Sequence, residues 1–292
     1  MTADGIRDMS NASYHAETEH LSSTTIKKAL PEHYRDSDLN TAALDFGTLV
    51  HSVVLEPETL GRYVRLDAAK IGLKADGTPA QNPMMTAAWK RAVAEAEADG
   101  KTVVSQADWD KAWRMADAVT KHPEAYELLY AAEGKSEVSA FATDENGLKI
   151  KARYDRLLTS AAVDLKTTGA RPGADSLRKV VSNFLYDLSA YHYLEVARIL
   201  NLEVDTFWFV FVSKDEVPLV TVASLSDAFL ERGRDLRALA LDRIAGNVDP
   251  YEGATGRLTL HPPGWSLTRT PTEYPTTEIP DDFTWSITHD HA

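Results

Sequence analysis

Residues 137 to 168 alternate between apolar and polar side chains with a period of two. The alternation falls into three runs, EVSAFAT, LKIKARYDRLL and AVDLKTT, and the pair Asn146-Gly147 separates the first two. A period of two is typical of strands, and Asn-Gly is a pair that tight hairpin turns favour. A short TSA link joins the second run to the third. The sequence therefore predicts a three-stranded antiparallel meander.

Helical periodicity precedes the meander. Hydroxyl residues in SSTTIKKAL can cap a helix, and DFGTLVHSVVLEPE places its apolar residues on one helix face. Gly, Pro, Asn and Asp predict a surface loop at residues 68–84, and two helices follow it. In the second of these helices Ser105 and Asp108 have the spacing of a capping box. Trp109 and Trp113 share a face there and are predicted to pack in the core.

The residues that follow the meander complete the predicted core. They contain a long helix at about 174–200, the strands VDTFWFVFV and VPLVTVAS, and a helix near 226–245. Strands and helices mixed in this order favour an α/β fold. We expect a central mixed sheet flanked by helices, with a helical N-terminal elaboration.

The composition excludes several kinds of site. The 292 residues include no cysteine, which excludes disulfides, cysteine-zinc sites, iron–sulfur clusters and thiol nucleophiles. Any metal ion must be held by oxygen or imidazole. The polar start MTADGIRDMSNASYH is unlike a signal peptide, and no run of about 18 apolar residues occurs. We expect an intracellular protein without membrane association.

Positive charge is concentrated in one segment. The whole chain has a formal net charge of -13, but residues 149 to 179 hold eight basic and three acidic residues, so the segment is net +5 and the remainder net -18. A polyanion is attracted to local rather than to net charge. The sequence predicts that a nucleic acid would bind along this basic stripe.

Asp164 and Lys166 lie two residues apart in the third strand of the meander, so they share a face. A short turn near Thr159 and Ser160 would bring Asp155 of the preceding strand beside Asp164. Two adjacent carboxylates repel unless a cation lies between them, and oxygen ligands suit Mg²⁺ or Mn²⁺. Lys166 could then orient or deprotonate a water and offset charge on a phosphate. A surface ion pair on an edge strand is the simpler alternative.

The arrangement of Asp155 and Asp164-Leu165-Lys166 resembles the PD-(D/E)xK nuclease signature, in the form D…DxK. The chain is more closely similar to the exonuclease VIII (RecE-type) family of phage and prophage recombination nucleases. Besides the meander, the segments that carry the resemblance are YHAETEHLSSTTIKKAL, DFGTLVHSVVLEPE and NFLYDLSAYHYLEVA. The similarity covers residues 14 to 245 and implies a restriction-endonuclease-like core.

The resemblance implies roles for individual residues. His51, Asp155 and Asp164 would be metal ligands with the Leu165 carbonyl, and Lys166 would be the catalytic lysine. Taken alone, His51 could equally be an ordinary helix histidine. Glu137 resembles an acid often found at the start of the first strand, although it could merely pair with a neighbouring cation.

Substrate contacts are expected on the helix after the third strand. Related nucleases carry a Gln-x-x-x-Tyr element there, whereas this chain has Ser189 and Tyr193, and serine reaches less far than glutamine. Tyr193 could also serve only in packing. Arg153 and Arg171 are candidates for contacts to the DNA backbone.

The family resemblance implies a Mg²⁺-dependent exodeoxyribonuclease, with Mn²⁺ as a substitute. It would digest the ends of linear double-stranded DNA from 5′ to 3′ and leave 3′ overhangs for a single-strand annealing recombinase. A homo-oligomer in the cytoplasm of a bacterial host is expected. The alternatives are a RecB- or Cas4-like nuclease for single strands or flaps, without an iron–sulfur cluster, and a catalytically silent DNA-binding module.

The expected organisation is one nuclease domain over residues 1–265. Its helical N-terminal part would span residues 1–130, and its catalytic core residues 135–245. Residues 266–292 are rich in proline, threonine and acidic residues, and they are expected to wrap the surface or to form a flexible tail.

Overall fold

The computed structural model describes residues 4–34, 41–74, 76–169 and 171–247, without the side chains of residues 41–44. The expected tail at residues 266–292 lies outside these ranges. The strands are β1 (Gly5–Arg7), β2 (Tyr63–Leu66), β3 (Thr102–Ser105), β4 (Gly134–Thr143), β5 (Lys149–Leu158), β6 (Ala161–Thr168), β7 (Thr206–Ser213) and β8 (Val220–Ser224). The helices are α1 (Asn11–Ala16), α2 (Ser23–Lys27), α3 (Thr41–Leu55), α4 (Ala68–Ile71), α5 (Ala87–Ala98), α6 (Gln106–Lys121), α7 (Pro123–Tyr126), α8 (Ala174–Asn183), α9 (Tyr186–Ile199) and α10 (Asp227–Ile244).

Six strands form the central sheet in the order β1-β4-β5-β6-β7-β8. The predicted meander is confirmed, because β4 pairs with β5 and β5 with β6 in antiparallel fashion. Strand β7 is parallel to β6, whereas the edge strands β1 and β8 are antiparallel to their neighbours. The sheet is therefore mixed, as the sequence predicts. At the Asn146-Gly147 turn, Gly147 has a φ of 80°, which a residue without a Cβ adopts readily.

Helices cover both faces of this sheet. On one face, α3 and α6 contribute Leu49, Val53 and Met115 to a cluster with Val163 and Leu165 of β6. On the opposite face, α9 packs against a second cluster, which contains Tyr154, Ala162, Phe207, Phe209 and Phe211. Strands buried on both faces read as nearly continuous apolar runs, which explains the sequence FWFVFV of β7.

Several predicted local features are confirmed, and one is confirmed only in part. Ser22 Oγ accepts a hydrogen bond from the Thr25 backbone N–H and caps α2. Ser105 Oγ accepts from the Asp108 backbone N–H, which is one of the two bonds of a capping box, and it also donates to the Asp108 carboxylate. Trp109 is partly buried and packs against the core, but Trp113 is 45% exposed, so only one of the two rings contacts the core.

The prediction of one long helix over residues 174–200 is wrong. The chain breaks into α8 and α9 at Phe184 and Leu185, and Leu185 has the left-handed values φ 49° and ψ 45°. Its side chain is fully buried in a cluster with Ile26 and Leu30 of the N-terminal region. Tertiary packing therefore stabilises a break between α8 and α9 that the local sequence does not predict.

The sequence analysis also missed short elements. Strand β1 lies within the N-terminal part that was expected to be helical, and it pairs with β4. Strands β2 and β3 form a separate two-stranded parallel sheet. The predicted loop at residues 68–84 contains α4 and a 3-10 turn. None of the described helices has both the length and the apolar content that a membrane span requires.

Gly233 of α10 is a critical packing position. A Cβ there would collide with backbone atoms of Asp187 and Leu188 in α9. We expect Gly233→Ala to lower the free energy of unfolding by about 1–3 kcal/mol, because backbone cannot move aside as a flexible side chain can. Thermal denaturation checks this. Gly61→Ala is the control, since nothing lies within 4 Å of the Cβ it would carry; equal Tm values for the two variants would contradict the close approach.

Candidate active site

A cavity of about 860 Å³ is lined by side chains of β4, β5, β6, α2 and α3 and of the segment between α1 and α2. Its wall contains many ionisable groups, which is typical of catalytic rather than purely apolar binding sites. The acidic and basic residues that line it are Glu17, Glu56, Glu137, Asp155, Asp164, Lys28, Arg62, Lys151, Arg153, Lys166 and Lys214.

At the base of the cavity, the pairing of two strands ends. Backbone pairing between β5 and β6 comprises Arg156 with Val163 and Leu157 with Ala162. The next pair in this register would be Asp155 with Asp164. Instead, Asp155 Oδ2 accepts a hydrogen bond of 2.7 Å from the Leu165 backbone N–H. A carboxylate therefore replaces a backbone carbonyl where the strands separate.

The sequence prediction that Asp155 and Asp164 meet is consistent with this register, but their side chains reach the fork from different directions. Asp155 shares a strand face with Arg153, and His51 approaches it from α3. Asp164 lies two residues after Ala162 and therefore shares its strand face, which is the face that α9 covers. The two carboxylates nevertheless interact, because burial and then the nearby Asp164 raise the pKa of Asp155 well above its usual value.

His51 lies directly over this fork. Its Nε2 is 2.7 Å from the Leu165 carbonyl oxygen, and its Nδ1 is 3.6 Å from Asp155 Oδ2. The preceding and following residues of α3, Leu49, Val50 and Val53, are buried against the sheet and fix the position of the helix. Burial and then the Lys166 charge lower the pKa of His51, so the imidazole is held neutral, as a metal ligand must be.

Glu137 has an unusual backbone conformation. In the ladder between β4 and β5 it lies opposite Asp155, between the pairs formed by Ser136 and by Val138. Its φ is 54°, in the left-handed region that non-glycine residues avoid at a cost of about 1–2 kcal/mol. Arg153 Nε donates a hydrogen bond of 2.8 Å to its carboxylate. Strain of this kind concentrates at functional sites, which favours a role for Glu137 beyond a simple ion pair.

One ligand atom each from His51, Glu137 and Asp155 lies within 4.8 Å of the other two. Burial and then Asp155 raise the pKa of Glu137 to about 7. Two carboxylates that resist ionisation together and a neutral imidazole form a donor set that a hard divalent cation would stabilise. With the Leu165 carbonyl beside His51, the residues present fit a Mg²⁺ or Mn²⁺ site.

Asp164 and Lys166 form a close ion pair. Both carboxylate oxygens of Asp164 lie 2.6 Å from Lys166 Nζ, and Asp164 is not part of the ligand trio, so the ligand role that the resemblance implies for it stays a prediction. Burial alone would lower the pKa of Lys166, but the charges of Asp164 and Asp155 raise it above its usual value. Lys166 is therefore an ammonium ion here, also placed 5.4 Å from the centre of the Tyr186 ring.

The predicted substrate-binding residues have mixed positions. Tyr193 lines the cavity, packed against Tyr154 and Phe207. Ser189 and Arg171 are not among the lining residues, and the Ser189 hydroxyl lies 3.5 Å from the Leu185 carbonyl. Arg153 is in the wall but buried, and its donors are engaged by the Glu137 carboxylate, the Ser139 hydroxyl and the Met9 carbonyl. These bonds direct Arg153 to Glu137 rather than to DNA.

Six of the eight basic residues in the predicted stripe have polar or charged partners, whereas Arg171 and Lys179 are exposed. Lys149 pairs with Glu19, Lys151 with Glu17, and Arg178 with Asp175. Arg156 donates to the Ala132 carbonyl, and Lys166 and Arg153 are paired as described. A count of charges along the sequence does not include such partners, which is why it overstated the charge available to a polyanion.

Cavity cations that the sequence analysis did not single out lie elsewhere in the chain. Lys28, Arg62 and Lys214 line the cavity from α2, from the turn after α3 and from the end of β7. Buried Lys27 donates to the Phe184 carbonyl at 2.8 Å. Burial and then the Lys166 charge lower the pKa of Lys27 to about 7. The adjacent lysines in SSTTIKKAL are the sequence signal for Lys27 and Lys28.

A family model described as a PDDEXK-like domain of unknown function (DUF3799) matches residues 19–246, well over half of the chain. The chain belongs to this family. The PDDEXK-like assignment agrees with the α/β fold and supports a nuclease. The exonuclease VIII relationship within the superfamily stays a prediction.

Comparison with solved structures agrees with the fold of a PDDEXK-like domain. A candidate exonuclease from Eubacterium rectale superposes with a TM-score of 0.53 at 14% identity, covering 90% of this chain and 99% of its own. LHK-Exo in complex with dAMP is a more distant match, with a TM-score of 0.27, 14% identity, and coverage of 66% and 93%. The second score is too low to support an argument. No curated protein matches the sequence.

Metal affinity tests the ligand trio. We expect Asp155→Asn and His51→Ala each to weaken Mn²⁺ binding by at least about tenfold, since even loss of an outer-shell partner costs 10- to 100-fold in other sites. Electron paramagnetic resonance of free Mn²⁺ measures the affinity. The control is Asp117→Asn, a change at an exposed carboxylate on α6. Unchanged affinity in both site variants would remove the trio from consideration.

Proposed function

We propose that this chain is a divalent-metal-dependent exodeoxyribonuclease that hydrolyses linear double-stranded DNA. The observation that carries the proposal is the convergence of His51, Asp155, the Leu165 carbonyl and Lys166 at one fork in the sheet. Each was expected there from the D…DxK pattern and from the family resemblance. The E. rectale neighbour is described as a candidate exonuclease, which favours attack at DNA ends.

The cavity residues divide the chemistry among them. A bound Mg²⁺ would supply charge neutralisation at the scissile phosphate and lower the pKa of a water molecule. His51, Glu137 and Asp155 would hold the ion, assisted by the Leu165 carbonyl. The Lys166 ammonium would offset the charge that develops on the phosphate, and Asp164 would hold Lys166 in position. Water adds to phosphorus and loses a proton, the P–O3′ bond breaks, and the leaving O3′ takes up a proton, so the products carry a 5′ phosphate and a 3′ hydroxyl.

The finer assignment follows the family resemblance. We propose that the protein is encoded by a phage or prophage and acts as a homo-oligomer in the bacterial cytoplasm. It would digest from 5′ to 3′ and leave 3′ overhangs for a single-strand annealing recombinase. A RecB- or Cas4-like nuclease for single strands or flaps is the alternative within the same chemistry. A catalytically silent module is disfavoured because every residue of the D…DxK pattern lies at the cavity.

Activity tests the proposal directly. We expect the protein to digest linear duplex DNA with Mg²⁺ and not with EDTA, and Asp164→Asn to reduce the rate at least about 100-fold, because it removes the charge that positions Lys166. End-labelled duplexes resolved on a gel measure rate and polarity, with Asp117→Asn as control. Digestion of flaps but not of duplex ends would favour the alternative nuclease. If no DNA is digested with any divalent metal, the nuclease function is refuted.

Lys166→Gln separates charge stabilisation from metal binding. We expect this variant to bind Mn²⁺ with wild-type affinity, since Lys166 is not a ligand, and to lose at least about 100-fold in the rate of hydrolysis. The readouts are Mn²⁺ affinity and single-turnover cleavage. Lys121→Gln changes an exposed lysine on α6 and serves as the control. Wild-type cleavage by Lys166→Gln would rule out its assigned role.

A further inference from the structure

Phe184 is an exposed aromatic residue at the wall of the cavity. Its side chain is 41% exposed, although it lies among the cavity residues with Val180 and Tyr186. Nothing in the proposed hydrolysis uses it. An exposed aromatic ring beside a nuclease centre offers a flat apolar face to whatever enters the cavity.

A continuous stack of rings supports Phe184. Its ring is stacked on that of Tyr186 at 5.6 Å between centroids and 23° between planes. Tyr186 is stacked on Phe209 at 5.8 Å, and Phe209 on Phe211 at 5.4 Å. The inner rings belong to the buried core of the sheet. Phe184 is therefore the outermost member of a ladder, with one side of its ring towards Tyr186 and 41% of its surface exposed.

The backbone beneath Phe184 is held in place. Its carbonyl accepts a hydrogen bond from the buried Lys27 ammonium at 2.8 Å. The next residue, Leu185, takes the left-handed conformation that ends α8, while its side chain is fully buried with Ile26. A strained residue persists only where its surroundings determine it. Phe184 is thus fixed on the outside of a rigid break instead of lying on a mobile loop.

The ladder connects Phe184 with the reactive end of the cavity. Tyr186, which contacts Phe184 on one side, also lies 5.4 Å from Lys166 Nζ. A single ring therefore separates the exposed Phe184 from the ammonium assigned to the phosphate. A nucleotide chain whose phosphate lies at Lys166 would bring a base within one or two positions of Phe184.

We propose that Phe184 is a stacking platform for an unpaired nucleobase next to the scissile phosphate. Bases inside a duplex have both faces covered by their neighbours, so only a terminal or unpaired base can stack on the ring. The digested strand is then single-stranded where it passes Phe184. Every base has a π-face, so the platform gives no sequence preference. This inference rests on the proposed function and names the state of the DNA at that site.

Binding without hydrolysis tests the platform. A fluorescein-labelled single-stranded oligonucleotide is titrated with the full chain in EDTA, and anisotropy gives the Kd. We expect Phe184→Ala to weaken binding about tenfold, the range that loss of one stacked base produces. Phe184→Leu keeps an apolar side chain without a π-face and should be weakened equally, whereas Phe184→Trp should bind at least as tightly as wild type.

Tyr126→Ala is the matched control, since Tyr126 is 48% exposed, its ring is tilted against that of Tyr130, and it does not line the cavity. Its Kd should equal that of wild type. A second probe is the same oligonucleotide carrying abasic sites. Wild type should bind this abasic probe more weakly than the intact oligonucleotide. Phe184→Ala should bind the two probes equally, because the substitution and the abasic site remove the same contact. Thermal denaturation confirms that the variants are folded.

The outcomes separate this inference from the proposed function. If wild type binds the oligonucleotide and Phe184→Ala binds it with the same Kd, the platform is overturned and the proposed nuclease function is not. An equal loss in Phe184→Trp and Phe184→Ala also overturns the platform, because a larger π-face would then not help. Wild type that does not bind the oligonucleotide also overturns the platform, whereas the nuclease is judged separately by digestion of duplex DNA with Mg²⁺. The assay contains no divalent metal, so the oligonucleotide is not hydrolysed during the titration.

Discussion

The hydrogen bond from the Leu165 backbone N–H to the Asp155 carboxylate determines much of this structure. A backbone amide between two central strands would ordinarily bond to a carbonyl of the neighbouring strand. Here a side-chain oxygen takes that place, so the strands part without leaving a buried donor unsatisfied. The fork that results provides room for His51 from one face and for the Asp164 ion pair from the other.

The charges at the fork are balanced locally rather than by the surface. Glu137 is paired with Arg153, Asp164 with Lys166, and Glu17 with Lys151, all within the cavity wall. Burying a charge without a partner is costly, so each pair stabilises residues that the reaction is proposed to use. Asp155 has the least compensation, since its carboxylate accepts from a neutral amide. That imbalance is what a divalent cation would remove.

Local signals made the meander and the Asp155, Asp164 and Lys166 constellation predictable from the sequence, because alternation, the Asn-Gly pair and strand spacing depend on near neighbours. The conformation of Leu185 was not predictable, since residues more than 150 positions away fix it. Strand β1 has three residues, too few for a periodic signal. The strain at Glu137 and the pairing of the basic segment depend likewise on contacts that no window of sequence contains.

The segment before residue 34 is an integral part of the sheet and of the cavity wall. It supplies an edge strand, and its backbone carbonyls accept hydrogen bonds from Lys151 and Arg153. Its Lys27 donates a hydrogen bond to the carbonyl of Phe184, at the break between α8 and α9. The sheet and the cavity are therefore completed by a segment that precedes them in the chain. During synthesis this segment is made before β4, so β1 has no strand to pair with until β4 has been synthesised.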